Sequence, residues 1–186
     1  AYIFTNGYPI TSTDKTFNGL GNGDFFGIPR PAYVLVACLI IVALILGRTR
    51  LGRHMYAVGG NMEAAKHSGI SYSKVVCSAY TICGLLAGLS GVIMASRMYS
   101  GQPTIGVDYG TDAIASAVIG GTAFGGGFGT IPGTFIGAVI IGVMNNGMNH
   151  LAINTYWQMI IKGLLILGAV YLDSVKGKFA KKKKAA

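Results

Sequence analysis

The side chains able to do chemistry are few, and their spacing suits no catalysis. The chain carries six Asp and Glu residues and three His. His54, His67 and His150 are scattered and match no ligand pattern, so no metal is expected. Cys38, Cys77 and Cys83 all lie inside apolar runs, with no CxxC pair. They read as small buried hydrophobes, with no disulfide or zinc set implied. No carboxylate pair, Ser/His/Asp set or nucleophile motif occurs, so no catalytic residue is assigned and no enzymatic activity is expected. What remains are polar groups stranded in apolar stretches. Asp112 opens one such stretch and Lys162 lies within another. Asn145, Asn146, Asn149 and Gln158 cluster near the outer ends of the last two. Amides there serve either a solute's hydroxyls or a neighbouring helix.

The apolar stretches point to a membrane. The chain is 52% hydrophobic and 11% charged, with a mean hydropathy of +0.54. A soluble domain usually carries about 25% charged residues. Its 29 glycines follow no collagen period and suit close helix packing in lipid. The net charge of +9 does not indicate nucleic acid, because the basic residues cluster at 48–74 and in the tail, beside apolar runs.

Five spans are expected, at about 32–47, 74–96, 112–124, 132–149 and 156–172. The third, at thirteen residues and about 20 Å of rise, is short for a crossing. Arg48, Arg50 and Arg53 place the end of the first span in the cytoplasm by the positive-inside rule. Counting 112–124 as a crossing brings the lysine-rich tail, residues 174–186, back to the cytoplasm; counting it as a dip puts that tail outside. Five crossings are therefore expected, with residues 1–30 an extracytoplasmic loop and an odd number of spans upstream. Phe25, Phe26 and Tyr33 suit the outer interface. This topology sets Asp112 and Lys162 at similar depth, which motivates a hypothesis that they pair. Charge inside a membrane is a functional hypothesis by default, and the alternative for Lys162 is snorkelling to the interface. Asp112, Asn145, Asn146, Gln158 and Lys162 are the candidates for a translocation path. Gly84 with Gly88, and Gly133 with Gly137, form GxxxG pairs that let helices approach. The run Gly120–Gly129 lacks the Lys-Ser/Thr of a phosphate loop and follows no strand. It reads as a tight turn with close packing, or as backbone lining a path.

Between the first two spans lies a polar island, Tyr56–Ile70. It reads as a very short helix with both ends specified. Asn61 suits the N-cap, Glu63 the first turn, Lys66 and His67 the last turn, and Gly69 the left-handed closing position. A helix of about two turns is marginal alone, so it needs a surface to dock against. Gly59, Gly60 and Gly69 permit it to pivot, and a rigid seating is equally open.

The island, LGRHMYAVGGNMEAAKHSGIS, resembles the cytoplasmic signature of the ribose/xylose/galactose-type permeases of bacterial ABC importers. The later stretches GVDYGTDAIASAVIGGTAFGGGFGTIPGTFIGAVIIGVMNNGMNHL and YWQMIIKGLLILGAVYLD are similar to the same family, in the same order. The resemblance implies an all-α integral membrane protein, here about five transmembrane helices, one short, plus a cytoplasmic coupling helix. That corresponds to the second half of a roughly ten-span permease. It further implies a second permease subunit, two cytoplasmic ATP-binding cassettes that carry ATP and Mg, an extracytoplasmic sugar-binding protein, and the bacterial cytoplasmic membrane. No cofactor is expected in this chain. Asn61, Glu63, Ala64, Ala65, Ser68 and Gly69 are the coupling residues by this resemblance. Permeases for nucleosides, branched-chain amino acids or autoinducer sugars are the related alternatives; an ATPase-independent channel or a membrane scaffold is the alternative of another class.

Overall fold

The computed structural model describes residues 8–184, with side chains through Tyr171. The expectations for the first seven residues and for the lysine side chains of the tail lie outside the described residues. Among the described residues the regular structure is helical apart from four two-residue strands. It divides into two compact units: Ala1–Met55 with Glu63–Val107, and Tyr56–Met62 with Asp108–Ala186.

The first unit begins with β1 (Ile10–Thr11), α1 (Lys15–Asn22), β2 (Asp24–Phe25) and β3 (Ile28–Pro29). The sequence suggests a loop here, and α1 is a departure from that expectation. Two glycines weaken its helix propensity, but Asp14 caps it, accepting from Thr16 N–H at 3.0 Å. β2 and β3 form a hairpin whose turn holds Phe26 and Gly27 at positive φ. Pro31 sits in the first turn of α2 (Arg30–Arg48), an apolar helix ending at the arginines. Thr49 breaks it. Gly52 is buried there, so close to α2 that a Cβ would fall on the carbonyls of Ile45 and Leu46.

The basic flank then forms α3 (Arg50–Gly60), which sequence reading leaves unassigned, and α4 (Met62–His67) follows. α5 (Tyr72–Arg97) is the second long apolar helix. α1 docks on its C-terminal end. Ser96 Oγ accepts from Gly21 N–H at 2.7 Å and donates to the Phe17 carbonyl at 2.6 Å, and Ser96 is fully buried. β4 (Ser100–Gly101) pairs antiparallel with β1, Ile10 opposite Gly101.

The second unit is built on α6 (Tyr109–Ile119), α7 (Ile131–His150) and α8 (Thr155–Lys184). α6 starts and stops earlier than the 112–124 expected. A Schellman closure ends it: Gly121 has φ +85°, and Thr122 N–H reaches the Ala117 carbonyl at 3.0 Å. Thr130 caps α7 through Gly133 N–H, and Pro132 lies in its first turn. α6 and α7 run as an antiparallel hairpin in which Gly120 meets Gly133 and Ser116 meets Gly137 backbone to backbone.

By length and composition α2, α5 and α7 can each cross a membrane, and Thr155–Tyr171 of α8 is a shorter apolar stretch. With α6, of eleven residues, this gives the expected all-α membrane protein with one short segment.

Candidate functional site

Two constellations stand out, one inside the α6–α8 unit and one at α4. In the first, Asp112 lies in the first turn of α6. Asn145 lies on α7, five residues before its end, and Lys162 on α8, seven residues in, about 10 Å along the axis. Lys162 Nζ is 2.8 Å from Asp112 Oδ1, with side chains 12% and 18% exposed. Asn145 Nδ2 donates to Asp112 Oδ2 at 3.0 Å. Each carboxylate oxygen thus has its own partner, from a different helix. The pairing hypothesis is realised, and Lys162 is turned inward rather than toward an interface. In apolar surroundings such a pair holds strongly, because removing one partner leaves a charge without compensation. Asn145 Oδ1 is buried and has no hydrogen-bond partner among the described residues.

The other amides of the candidate path separate from this cluster. Gln158 Nε2 donates to Asn149 Oδ1 at 3.0 Å and to the Ile153 carbonyl at 2.9 Å, tying α8 to the α7–α8 turn. Asn146 is exposed. Nearer the glycine turn, the three helices enclose an apolar groove of about 1070 Å³ whose walls include Ile119, Thr122, Val139, Val143, Leu164 and Gly168. Sequence reading missed the groove, since each wall residue alone reads as lipid-facing.

α4 is closed as expected. Gly69 takes φ +79°, Gly69 N–H reaches the Lys66 carbonyl and Ile70 N–H the Ala65 carbonyl, both at 3.0 Å. This is again a Schellman closure. Glu63 lies in the first turn, and Lys66 and His67 in the last. Asn61, Glu63, Ala64, Ser68 and Gly69 are exposed, while Ala65 is 5% exposed. Ala65, grouped with the coupling residues by resemblance, is the buried member of that set. Ser68 Oγ donates back to the Ala64 carbonyl at 2.9 Å. Gly59 and Gly60 are helical and packed rather than in open space. They complete α3 and press against Gly126 and Gly127 of the glycine turn.

The two GxxxG pairs part company. Cβ atoms added at Gly133 and Gly137 would overlap the Gly120 and Ser116 carbonyls, while at Gly84 and Gly88 they meet nothing within 4 Å. Among the described residues no group of three or more His, Cys, Asp or Glu converges as a metal site would require.

Residues 2–170 match the family model described as branched-chain amino acid transport system / permease component. The chain is similar to the ribose import permease protein of Bacillus subtilis, 46% identical over 94% of this chain and 55% of that protein. It is 39% identical to the L-arabinose transport system permease protein of Escherichia coli, over 96% of this chain and 54% of the relative. It is 45% identical to the xylose transport system permease protein of Haemophilus influenzae, over 81% of this chain and 40% of the relative. The chain thus spans about half the length of the curated relatives it matches. No solved structure matches it.

Proposed function

This chain belongs to the family of transport-system permease components, and from that premise we propose that it forms part of the permease of an ATP-driven monosaccharide importer in the bacterial cytoplasmic membrane. The observation that carries this reading is the similarity, along nearly the whole chain, to permeases named for ribose and L-arabinose. The family description also names branched-chain amino acids. The sugar reading is favoured because the relatives cited by identity are all named for pentoses.

In this reading the chain performs no bond chemistry. ATP and Mg belong to two cassette subunits in the cytoplasm, and the solute arrives on an extracytoplasmic sugar-binding protein. A second permease subunit completes the path. α4 is the docking element: short, capped at its C-terminal end and exposed along Glu63, Ala64, Lys66 and His67. A cassette groove would supply the tertiary contact that so short a helix requires. Asp112, Asn145 and Lys162 tie α6, α7 and α8 together near their outer ends. Asn145 Oδ1, lacking a partner among the described residues, is an acceptor suited to a solute hydroxyl when the helices part.

The test is uptake by the full-length permease reconstituted with its cassettes and binding protein. Labelled ribose, xylose, L-arabinose and leucine are offered in turn. ATP- and binding-protein-dependent entry of a pentose is expected. Entry of leucine alone, or flux that persists without cassettes, overturns the reading.

A further inference from the structure

The segment that leads into α4 belongs to the same compact unit as α6, α7 and α8. Tyr56–Met62 clusters with Asp108–Ala186, although α5 and the loop after it intervene in sequence. The contact is backbone on backbone. A Cβ built on Gly59 would lie 2.7 Å from Gly127 N, one on Gly126 2.9 Å from Gly59 O, and one on Gly127 2.6 Å from Gly60 Cα. No side chain fits at Gly59, Gly126 or Gly127, whereas a Cβ on Gly60 would only touch Gly127 Cα at 3.8 Å. Gly126 and Gly127 also sit at φ +86° and +79°, where other residues are strained. One turn earlier on α3, the Tyr56 hydroxyl donates to the Gly129 carbonyl at 2.9 Å across the same seam.

Both sides of the seam belong to hydrogen-bonded structure. On one side Gly60 ends α3, and α4 begins two residues later. On the other, the glycine turn is closed by Ala123 N–H to the Phe128 carbonyl and Gly126 N–H to the Ala123 carbonyl, each at 3.0 Å. From that turn α6 and α7 rise as a pair locked at Gly120–Gly133 and Ser116–Gly137. The pair carries Asp112 and Asn145 toward its other end, about 16 Å of helix away. Glycine contacts of this kind have no flexible side chain to absorb a displacement.

We propose that the seam of Gly59 and Gly60 on Gly126 and Gly127, pinned by Tyr56 on Gly129, is a transmission joint. It passes movement of α4 sideways into the α6–α7 hairpin and so to the Asp112–Asn145–Lys162 cluster. The spans continuous with the island, α2 and α5, are then not the sole route. Tyr56 and the four glycines are positioning residues that touch neither nucleotide nor solute. The inference rests on α4 being the cassette-docking helix.

The test uses the complete transporter and compares uptake per ATP hydrolysed with basal ATPase activity. Gly59→Ala is the main variant, since alanine favours the helix it enters and disturbs only the seam. It should keep basal ATPase activity and lose about tenfold in uptake per ATP. Tyr56→Phe, which removes one hydroxyl, should lose about fivefold. Gly47→Ala, on α2 with nothing within 4 Å of the added Cβ, should match the parent. If Gly59→Ala does not assemble, Tyr56→Phe decides alone. Normal coupling in the seam variants, or an equal loss in Gly47→Ala, overturns the joint. A parent complex whose ATPase ignores solute and binding protein would instead overturn the docking reading beneath it.

Discussion

Gly84 and Gly88 on α5 have the same spacing as Gly133 and Gly137 on α7, yet the two pairs live differently. The α7 pair is jammed against the backbone of α6, while the α5 pair has open space at both positions. The same contrast holds for whole helices. None of the apolar window of α2 or α5 is buried, against 17% of that of α7. The α6–α8 unit makes its own contacts, through glycines and an ion pair. The unit holding α2 and α5 is fastened at the C-terminal end of α5, where Ser96 grips α1 and β1 pairs with β4. A lipid-facing helix loses nothing by remaining unpacked, because hydrocarbon is as apolar as leucine. The GxxxG spacing therefore states that a backbone may come close, and the connection decides whose. α6 reaches α7 through the glycine-rich connection 120–130, so its backbone meets a neighbour in sequence.

The contrast breaks most sharply at Gly137. Gly137→Leu places a side chain on the Ser116 carbonyl. Backbone would have to move, and a loss upwards of ~3 kcal/mol is expected. Thermal melting of the detergent-solubilised permease reads this directly, and an unchanged melting temperature would show that the hairpin does not depend on that contact. Next in size is the ion pair. Lys162→Met alone leaves Asp112 without its cation and should cost about 2–3 kcal/mol, less than the roughly 3–5 kcal/mol of a fully buried pair, since neither side chain is fully enclosed. Adding Asp112→Asn to it should recover much of that loss. Losses that simply add in this double-mutant cycle would mean the two groups do not interact.

What could be read from sequence follows the same division. Caps and closing turns are local, so Gly69, Pro132 and the apolar spans were legible from residue type alone. The Asp112–Lys162 pair is distant in sequence, yet topology sets both charges at one depth, and an intramembrane charge seeks a partner. α1 was hidden by its glycines. Its one overt signal is Asp14 two residues before Thr16, and its docking on Ser96 involves a residue far along the chain. α3 carried a signal that the arginines masked: Leu51, Met55 and Val58 recur at helical spacing. The glycine seam was legible only in halves: the run Gly120–Gly129 announced close packing and Gly59 and Gly60 stood out beside the island, but nothing in the sequence paired the two. Backbone contact between remote glycines has no periodicity or charge to announce it. Ala65 illustrates the limit from the other direction. A small residue suits a docking face and a buried face equally, and burial alone separates them.

The smallest expected effect tests the open side of the contrast. Gly88→Leu adds a side chain where nothing lies within 4 Å. Leucine has better helix propensity than glycine, and in lipid its side chain meets an environment as apolar as itself. The melting temperature of the solubilised permease should then move by no more than a change of about 0.5 kcal/mol produces. Gly84→Leu, one turn away on the same face, should behave alike. Either variant falling as far as Gly137→Leu would reverse the contrast. It would mean that α5 presses on a backbone in the whole transporter as closely as α7 presses on α6. The two glycine pairs would then differ in where their partner lies in the assembly, and no longer in whether they have one.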